Sequence, residues 1–307
     1  MAVTAAMVKE LREMTGAGMM DCKKALSNTD GDMDKAVEYL RENGMAKAAK
    51  KAGRIAAEGI VKVVTEGSKA AIVEVNSETD FVAKNADFNA YVEEVAQQAL
   101  NTKASDIDEF LAEIWNKDSS KTVADVLAGQ IAVIGENLKI RRFAQIEENN
   151  GFIASYIHMG GKIGVLVDVE TDVVNPAIEE MAKNVAMQAA ALKPMYTNRS
   201  EVDPEYIAKE TEIITITAKN EKPDANDKII EGMVKGRLNK ELKEICLLDQ
   251  TYVKAEDGKQ SVSAYVASVA KENSANITIK GFVRFETGEG LEKKNEDFAA
   301  EVAAQLQ

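Results

Sequence analysis

The amino-acid sequence predicts an α+β protein in which helical segments and antiparallel strands occupy separate stretches of the chain. Residues 1–54 carry helical periodicity only, in three short segments. From about residue 55 onward, β-branched apolar runs indicate strands, and a strand–turn–helix order occurs twice. Later in the chain, two amphipathic helices follow each other across a short turn. These observations predict a small helical domain, two similar α+β subdomains and an inserted helical hairpin.

Length and composition limit the class of protein. A chain of 307 residues can hold two or three domains with cores of their own. The sequence contains no apolar run of membrane-spanning length, and its charged N-terminus is unlike a secretory signal. The two cysteines, Cys22 and Cys246, cannot form a disulfide framework and fit a reducing cytoplasm. The net charge of −13 opposes non-specific nucleic-acid binding.

Residues 1–54 predict a domain of three short helices, similar to ubiquitin-associated (UBA) domains. Thr4 is a candidate N-cap for the first helix, and the glycine-rich residues 16–18 interrupt the chain before the second. Asp32 is a candidate cap for the third helix, and Gly44 is expected to end it before a helical linker. A unit of this size has little core, so its apolar faces suit docking onto another surface.

Residues 55–145 predict the first core subdomain. A hairpin signal joins its first two strands, and a strand pattern returns at its end. The predicted strands are 59–64, 71–75 and 141–143. The predicted helices are 88–100, 107–115 and 123–134.

Residues 146–196 and 248–290 predict the second core subdomain, and part of its sequence repeats the first. The sequence ETDFV at residues 78–82 recurs as ETDVV at residues 170–174, 92 residues later, and the helices that follow are also similar. The informative difference is Phe81 against Val173. It indicates either a specialised contact in one copy or different packing neighbours for the two copies. The remaining predicted elements are strands 163–169 and 277–285 and helix 262–270.

Residues 197–247 predict the inserted helical hairpin, a short coiled coil. Asp203 caps its first helix, with Pro204 at the first helical position. The hairpin is either an arm that contacts a partner or a structural element that packs only on itself. Residues 291–307 predict a final amphipathic helix, with Phe298, Val302 and Leu306 at helical spacing.

The candidate functional stretch joins strand 71–75 to helix 88–100. Residues 76–80 carry turn and cap chemistry, and Asp80 is a candidate cap for the following helix. Phe81 is a large aromatic residue at this polar junction, either packed into the core or held out to enter a partner. Because most phenylalanines return to the core, the residue pattern alone favours the first placement.

Four separated motifs resemble the elongation factor Ts family, in the family's order and over nearly the whole chain. They are VKELR with TGAGMMDCKKAL within residues 8–26, TDFVAKN at 79–85, SYIH with GGKIGVLV within 155–167, and GFVRFE at 281–286. The chain departs from the family pattern in the hairpin, where Glu221 replaces the usual glycine before Lys222-Pro223. The stretch 222–228 also looks longer than in related sequences.

The resemblance implies a guanine-nucleotide exchange factor whose partner is elongation factor Tu, in its GDP-bound or nucleotide-free form. It implies that Asp80 and Phe81 disturb the partner's Mg²⁺ and phosphate site, that Thr79 and Val82 fix the turn, and that the nucleotide-free complex persists until GTP binds. The implied partner-binding residues are Arg12, Met19, Met20, Lys23 and His158. The hairpin would serve dimerisation or partner contact, giving a homodimer or a 2:2 complex.

The residues alone indicate no chemistry of the chain's own. His158 is the one histidine, a structural or interface residue rather than a catalytic base, and the motifs of nucleotide and calcium sites are missing. We therefore expect no cofactor, no metal, no nucleic-acid or membrane partner and no enzymatic activity. Met19 and Met20 are either adaptable contact residues or core residues. The alternatives to an exchange factor are a non-catalytic scaffold or chaperone-like module and, less favoured, an acid–base enzyme using Glu78 and Asp80.

Overall fold

The structure, a computed structural model, describes residues 3–292 and confirms the α+β class. Helices and antiparallel sheets alternate along the chain as separate units. The final helix predicted for residues 291–307 lies outside the described residues, apart from its first two positions. Within the described part of the chain, no helix is long and apolar enough to cross a membrane.

Three helices open the chain, as predicted. They are α1 (Ala5–Thr15), α2 (Met19–Asn28) and α3 (Met33–Lys51). Thr4 and Asp32 are the observed caps of α1 and α3. Leu11, Cys22 and Leu26 are fully buried between the helices, and burial raises the pKa of the Cys22 thiol. The assignment to the UBA type stays a prediction.

The prediction that Gly44 ends the third helix is wrong, because α3 continues to Lys51. Gly44 is buried against a helix of the first core unit, and a Cβ there would lie 3.6 Å from the Ala128 carbonyl oxygen. Beside it, Arg41 pairs with Asp125 of that helix at 2.8 Å. Tertiary packing therefore outweighs the poor helix propensity of glycine.

The first core unit is a three-stranded antiparallel sheet with helices packed on one face. Its strands, in the order β1-β2-β5, are β1 (Glu58–Glu66), β2 (Lys69–Ser77) and β5 (Lys139–Glu147). Its helices are α4 (Asp80–Ala83), α5 (Ala86–Asn101), α6 (Ile107–Ala112) and α7 (Val123–Ile134). Phe88, Val92 and Val95 of α5 are buried against Val73 and Val75 of β2.

The helix predicted for residues 107–115 ends early, and this part of the prediction is wrong. Ile114 and Trp115 instead open a small hairpin, made of β3 (Ile114–Trp115) and β4 (Asp118–Thr122). The buried Gln98 side chain of α5 donates to the Ile114 carbonyl at 3.2 Å and accepts from the Asn116 N–H at 2.9 Å. A contact distant in sequence thus supplies the hydrogen bonds that a helix would have made.

The second core unit repeats this arrangement. Its strands, in the order β6-β7-β8, are β6 (Gly151–His158), β7 (Ile163–Thr171) and β8 (Ile277–Glu286). Its helices are α8 (Pro176–Leu192) and α11 (Val262–Glu272). The predicted return of residues 277–285 to this sheet is confirmed, whereas β6 was not predicted from the sequence. Ile72, Leu166 and Phe285 belong to a cluster that joins the two sheets.

The helical hairpin is present as α9 (Pro204–Glu221) and α10 (Asp227–Ile245), with Asp203 and Pro204 in their predicted positions. Glu221, the departure from the family pattern, pairs with Arg237 of α10, so the substituted residue joins the two helices. Cys246, at the end of α10, is buried, and this burial raises the pKa of its thiol.

Candidate functional site

The connection after β2 is a capped helical turn that holds Phe81 in solvent. We call residues 78–83 the Phe81 turn. The Phe81 side chain is 81% exposed, more than any other large apolar side chain among residues 3–292. The core placement favoured by the residue pattern is therefore wrong. Ala83, two positions later, is buried and anchors the turn on the first core unit.

Two caps in succession shape this connection. Asp80 is not a cap, because it is the first residue of α4 and Thr79 is the N-cap. The Thr79 hydroxyl accepts a hydrogen bond from the Val82 N–H at 3.4 Å. Asn85 then caps α5, accepting from the N–H groups of Asp87 and Phe88 at 2.8 and 3.1 Å. Two caps this close leave the backbone between them little freedom.

Glu136, which the sequence analysis missed, holds the Phe81 turn from behind. Its carboxylate accepts from the N–H groups of Glu78 and Thr79, both at 3.0 Å, and from the Thr79 hydroxyl at 2.7 Å. Gly135, with φ of +88°, ends α7 and aims Glu136 at the turn. Hydrogen bonds to a charged acceptor are the strong kind. A glycine followed by an acidic residue at a helix end was the only sequence signal, and it names no distant partner.

The two carboxylates proposed for an acid–base enzyme are already occupied. Glu78 accepts from the Asn137 N–H at 2.6 Å and lies 3.4 Å from Arg54. Asp80 pairs with Lys84 at 2.6 Å. The hydrogen bond from Lys84, with a smaller contribution from the charge of Lys162, holds the pKa of Asp80 below its usual range.

Lys162 connects the Phe81 turn to the loop between β6 and β7. His158, the last residue of β6, directly precedes this loop, residues 159–162, which we call the His158 loop. The His158 side chain is exposed, and its Nδ1 lies 2.8 Å from the Tyr156 hydroxyl. Lys162 forms an ion pair with Glu58 at the start of β1. The Val61 N–H donates to the Gly161 carbonyl at 2.7 Å, so the loop is seated on β1. The structure therefore brings His158 and the Phe81 turn to the same end of the core.

The other predicted contact residues form a separate patch at the α1–α2 connection. Met19 and Met20 are 59% and 74% exposed, so the core alternative for them is wrong. Arg12, in the last turn of α1, and Lys23, one turn into α2, are exposed as well. The connection is shaped by Gly16, whose φ of +67° ends α1.

The exposed side chains, rather than a cavity, are the candidate site. Two clefts, of about 410 and 490 Å³, lie along β8 and β5, and neither includes Phe81. Among residues 3–292, no three His, Cys, Asp or Glu side chains are grouped to hold a metal ion. A protruding aromatic ring on a capped turn, with further exposed apolar residues on a separate unit, is typical of a protein that binds another protein.

Comparison with known proteins identifies the family. The model of the family described as Elongation factor TS matches residues 78–289. Elongation factor Ts of Clostridioides difficile (strain 630) is 55% identical over 306 residues, covering 99% of both chains. Elongation factor Ts of Clostridium botulinum (strain Eklund 17B / Type B) is 52% identical over 307 residues, again covering 99% of both. The chain belongs to the elongation factor Ts family.

Proposed function

We propose that this protein is a guanine-nucleotide exchange factor for elongation factor Tu and that Asp80 and Phe81 open the partner's nucleotide site. Family membership supports the partner and the exchange role. One observation carries the mechanism: Phe81 is 81% exposed on a turn that Glu136 holds by three hydrogen bonds.

The energetics of exchange need only a difference in binding. A GTPase holds its nucleotide through backbone donors around the phosphates and through Mg²⁺. A factor that binds the nucleotide-free form more tightly lowers nucleotide affinity by the same ratio. One buried aromatic hot spot supplies about 2–4 kcal/mol. About 1.4 kcal/mol corresponds to a tenfold change in affinity. Phe81 alone therefore accounts for about a 100-fold decrease in the partner's affinity for nucleotide.

The rigidity of the Phe81 turn makes that energy usable. An aromatic side chain on a mobile loop would lose conformational entropy on insertion, and this loss would reduce the binding free energy. Here the caps Thr79 and Asn85 and the carboxylate of Glu136 order the backbone before binding. The hydrogen bond from Lys84 lowers the pKa of Asp80, which brings a carboxylate beside Phe81. A carboxylate placed there attracts the partner's Mg²⁺ and repels its phosphates.

Contacts on either side of Phe81 hold the partner in place. The exposed residues of the α1–α2 connection bind the domain of elongation factor Tu that carries the nucleotide. His158 and its loop bind a second domain of the partner. The helical hairpin exposes Ile213, Ile216 and Ile229, which fit a contact with a second copy or with the partner.

The proposal is tested by stopped-flow release of a fluorescent GDP analogue from elongation factor Tu at fixed Mg²⁺. The wild-type protein should accelerate release, and Phe81→Ala should lose about 100-fold of that acceleration. Val174→Ala is the matched control, since Val174 is a 53% exposed apolar residue after the equivalent strand. Binding by the wild-type protein without acceleration would favour the scaffold function instead.

A further inference from the structure

A buried carboxylate at the contact between the two sheets has no part in the proposed function so far. Glu74, on β2, is fully buried. It accepts hydrogen bonds from Arg142 Nε at 2.6 Å, from Arg141 Nη1 at 3.0 Å and from the Asn76 side chain at 3.1 Å. The backbone N–H of Gly288, from the other core unit, donates to it at 2.8 Å. The Glu74 carboxylate therefore accepts hydrogen bonds from residues of both core units.

The segment that follows β8 is held by the first core unit. We call residues 286–290 the strap. Arg141 donates to the Glu289 carbonyl at 2.5 Å, and Arg142 donates to the Glu286 carbonyl at 3.2 Å. Gly288 has a φ of +71°, and a Cβ at this position would lie 2.1 Å from the Ala57 carbonyl oxygen. Only glycine permits this approach, so the strap is fitted closely to the chain that enters β1.

Hydrogen bonds lead from Glu74 toward Lys162, and the strand that carries Glu74 leads into the Phe81 turn. Asn76, bonded to Glu74, also donates to the Glu58 carbonyl at 3.0 Å. The Glu58 side chain pairs with Lys162 of the His158 loop. The N–H of Thr287, in the strap, donates to the Lys162 carbonyl at 2.9 Å. Glu74 also lies on β2, the strand that leads into the Phe81 turn. It is therefore connected to the Phe81 turn through its strand and to Lys162 through hydrogen bonds.

We propose that Glu74 is a positioning residue that fixes the core unit carrying Phe81 against the core unit carrying His158. This inference rests on the proposed function, in which both surfaces engage one partner. A buried carboxylate shared by several donors has few alternative geometries, because each displaced donor would be left unpaired. Removing it allows the two units to rotate, and misplacement of a functional group by about 1 Å can cost about 100-fold in rate.

The test compares Glu74→Gln and Arg141→Lys with a matched control. Arg141→Lys keeps the positive charge and the carboxylate but loses the fork that joins Glu74 to the strap, so it carries the test if Glu74→Gln fails to fold. Glu148→Gln is the control. The Glu148 side chain is 1% exposed and pairs with Lys280 at 2.9 Å. Its N–H donates to the Ser68 carbonyl, at the opposite end of β2 from the Phe81 turn.

The first readout is a distance that does not depend on exchange. Spin labels at Asp87→Cys and Ser155→Cys, both exposed positions, report the separation of the two core units in a background carrying Cys22→Ala and Cys246→Ala. Double electron–electron resonance should show one narrow distance distribution for the otherwise unaltered protein and for Glu148→Gln. We expect Glu74→Gln and Arg141→Lys to shift or broaden it while circular dichroism stays unchanged.

The second readout is the kinetics of GDP release. The positioning role predicts a loss of about 10-fold in the maximal release rate for Arg141→Lys, with a smaller change in the half-saturating concentration. An unchanged distance distribution in both folded variants would overturn the inference, and so would an altered distribution with full exchange activity. If the wild-type protein fails to accelerate release, the proposed function is wrong, whereas the distance measurement still reports whether Glu74 holds the two units together.

Discussion

The two core units have the same arrangement of strands and main helix, and in each a glutamine side chain of the main helix is buried. In the first unit, Gln98 accepts from the Asn116 N–H at 2.9 Å and donates to the Ile114 carbonyl at 3.2 Å. In the second, Gln188 accepts from the Val253 N–H at 2.8 Å and donates to the Thr251 carbonyl at 3.1 Å. In both, one glutamine of the main helix satisfies the backbone of a neighbouring loop.

The units differ where the second strand ends. Asn85 follows Thr79 by six residues, and Asn175, which caps α8, follows Thr171 by four. The shorter connection has no helical turn, and the Thr171 hydroxyl instead donates to the Val173 carbonyl at 3.0 Å. Val173 is partly buried on the second core, whereas Phe81 is 81% exposed.

In each unit, the loop before the third strand supports the connection that follows the second strand. The hydrogen-bond donor and acceptor are exchanged between the two units. In the first unit, the carboxylate of Glu136 accepts from the turn. In the second unit, Asn276 donates to the Asp172 carboxylate through its backbone N–H and its side chain, at 2.8 and 2.6 Å. The scaffold thus presents an aromatic side chain only in the copy whose connection is two residues longer. We expect the length of the connection, and not the change from Val to Phe alone, to determine this exposure.

Removing the support of the Phe81 turn should have the largest effect. Glu136→Ala leaves two N–H groups and one hydroxyl without their acceptor, so the turn loses its fixed orientation. We expect GDP release from elongation factor Tu to slow by about 100-fold, as for loss of a whole aromatic hot spot. Asn276→Ala is the control at the equivalent position. It should lower the melting temperature and leave the release rate within about twofold. An equal slowing of GDP release in both variants would contradict the view that only the connection in the first unit acts on the partner.

Contacts outside the core should affect affinity more than the release rate. Met19 and Met20 are exposed on α2, which belongs to the N-terminal helices and not to the core unit that carries Phe81. The double variant Met19→Ala, Met20→Ala should weaken binding by about tenfold, since each exposed apolar side chain contributes about 1 kcal/mol or less at an interface rim. The half-saturating concentration in the release assay measures this. A fall in the maximal rate at saturation would assign these residues to the opening step.

Loss of the Thr79 cap should be milder. Thr79→Val keeps the shape but removes the hydroxyl that accepts from the Val82 N–H and donates to Glu136. Loss of such a cap costs about 1 kcal/mol. Chemical denaturation should show this cost, and release should slow less than in Glu136→Ala. Thr171→Val in the second unit should show a comparable stability loss with no effect on release.

The smallest effect concerns a carboxyl pair in the second unit. Burial and the neighbouring Glu148 raise the pKa of Asp168 to about 6, whereas Lys280 lowers the pKa of Glu148 to about 2. Asp168 sits 92 residues after Asn76, so a neutral amide occupies the matching place in the first unit. Because the folded state holds the Asp168 proton more tightly than the unfolded state, its contribution to stability is lost as pH rises from about 4 to about 6.

Asp168→Asn should remove this loss. We expect its melting temperature to exceed that of the wild-type protein by a few degrees at pH 7, with the difference shrinking below pH 5. Differential scanning calorimetry at several pH values measures both. A difference independent of pH would show that the amide changes packing rather than ionisation.

Local patterns made much of the fold predictable. The caps Thr4, Asp32 and Asp203 are signalled by residues within one turn, and the duplication is visible as a repeated sequence. The exposure of Phe81 was not predictable from the residue pattern, because the turn that carries it is supported by Glu136, which lies 57 residues after Thr79. The motif resemblance favoured the correct placement, without the physical reason.

The other errors have the same origin. The local sequence predicts that the helix ends at Gly44, but packing of Gly44 on α7 allows α3 to continue beyond it. The apolar residues Ile114 and Trp115 fit a helical pattern, but the side chain of Gln98 holds their backbone as a hairpin. In each case a contact between distant residues outweighs the local preference.

The most direct test of the asymmetry exchanges the two residues that distinguish the core units. Stopped-flow release of labelled GDP would be measured with Phe81→Val, with Val173→Phe and with the double exchange. We predict that Phe81→Val loses about 100-fold of the acceleration, that Val173→Phe alone behaves as the wild-type protein, and that the double exchange does not recover activity. Full activity of Phe81→Val, or recovery in the double exchange, would contradict the claim that the longer connection and its aromatic residue drive nucleotide release.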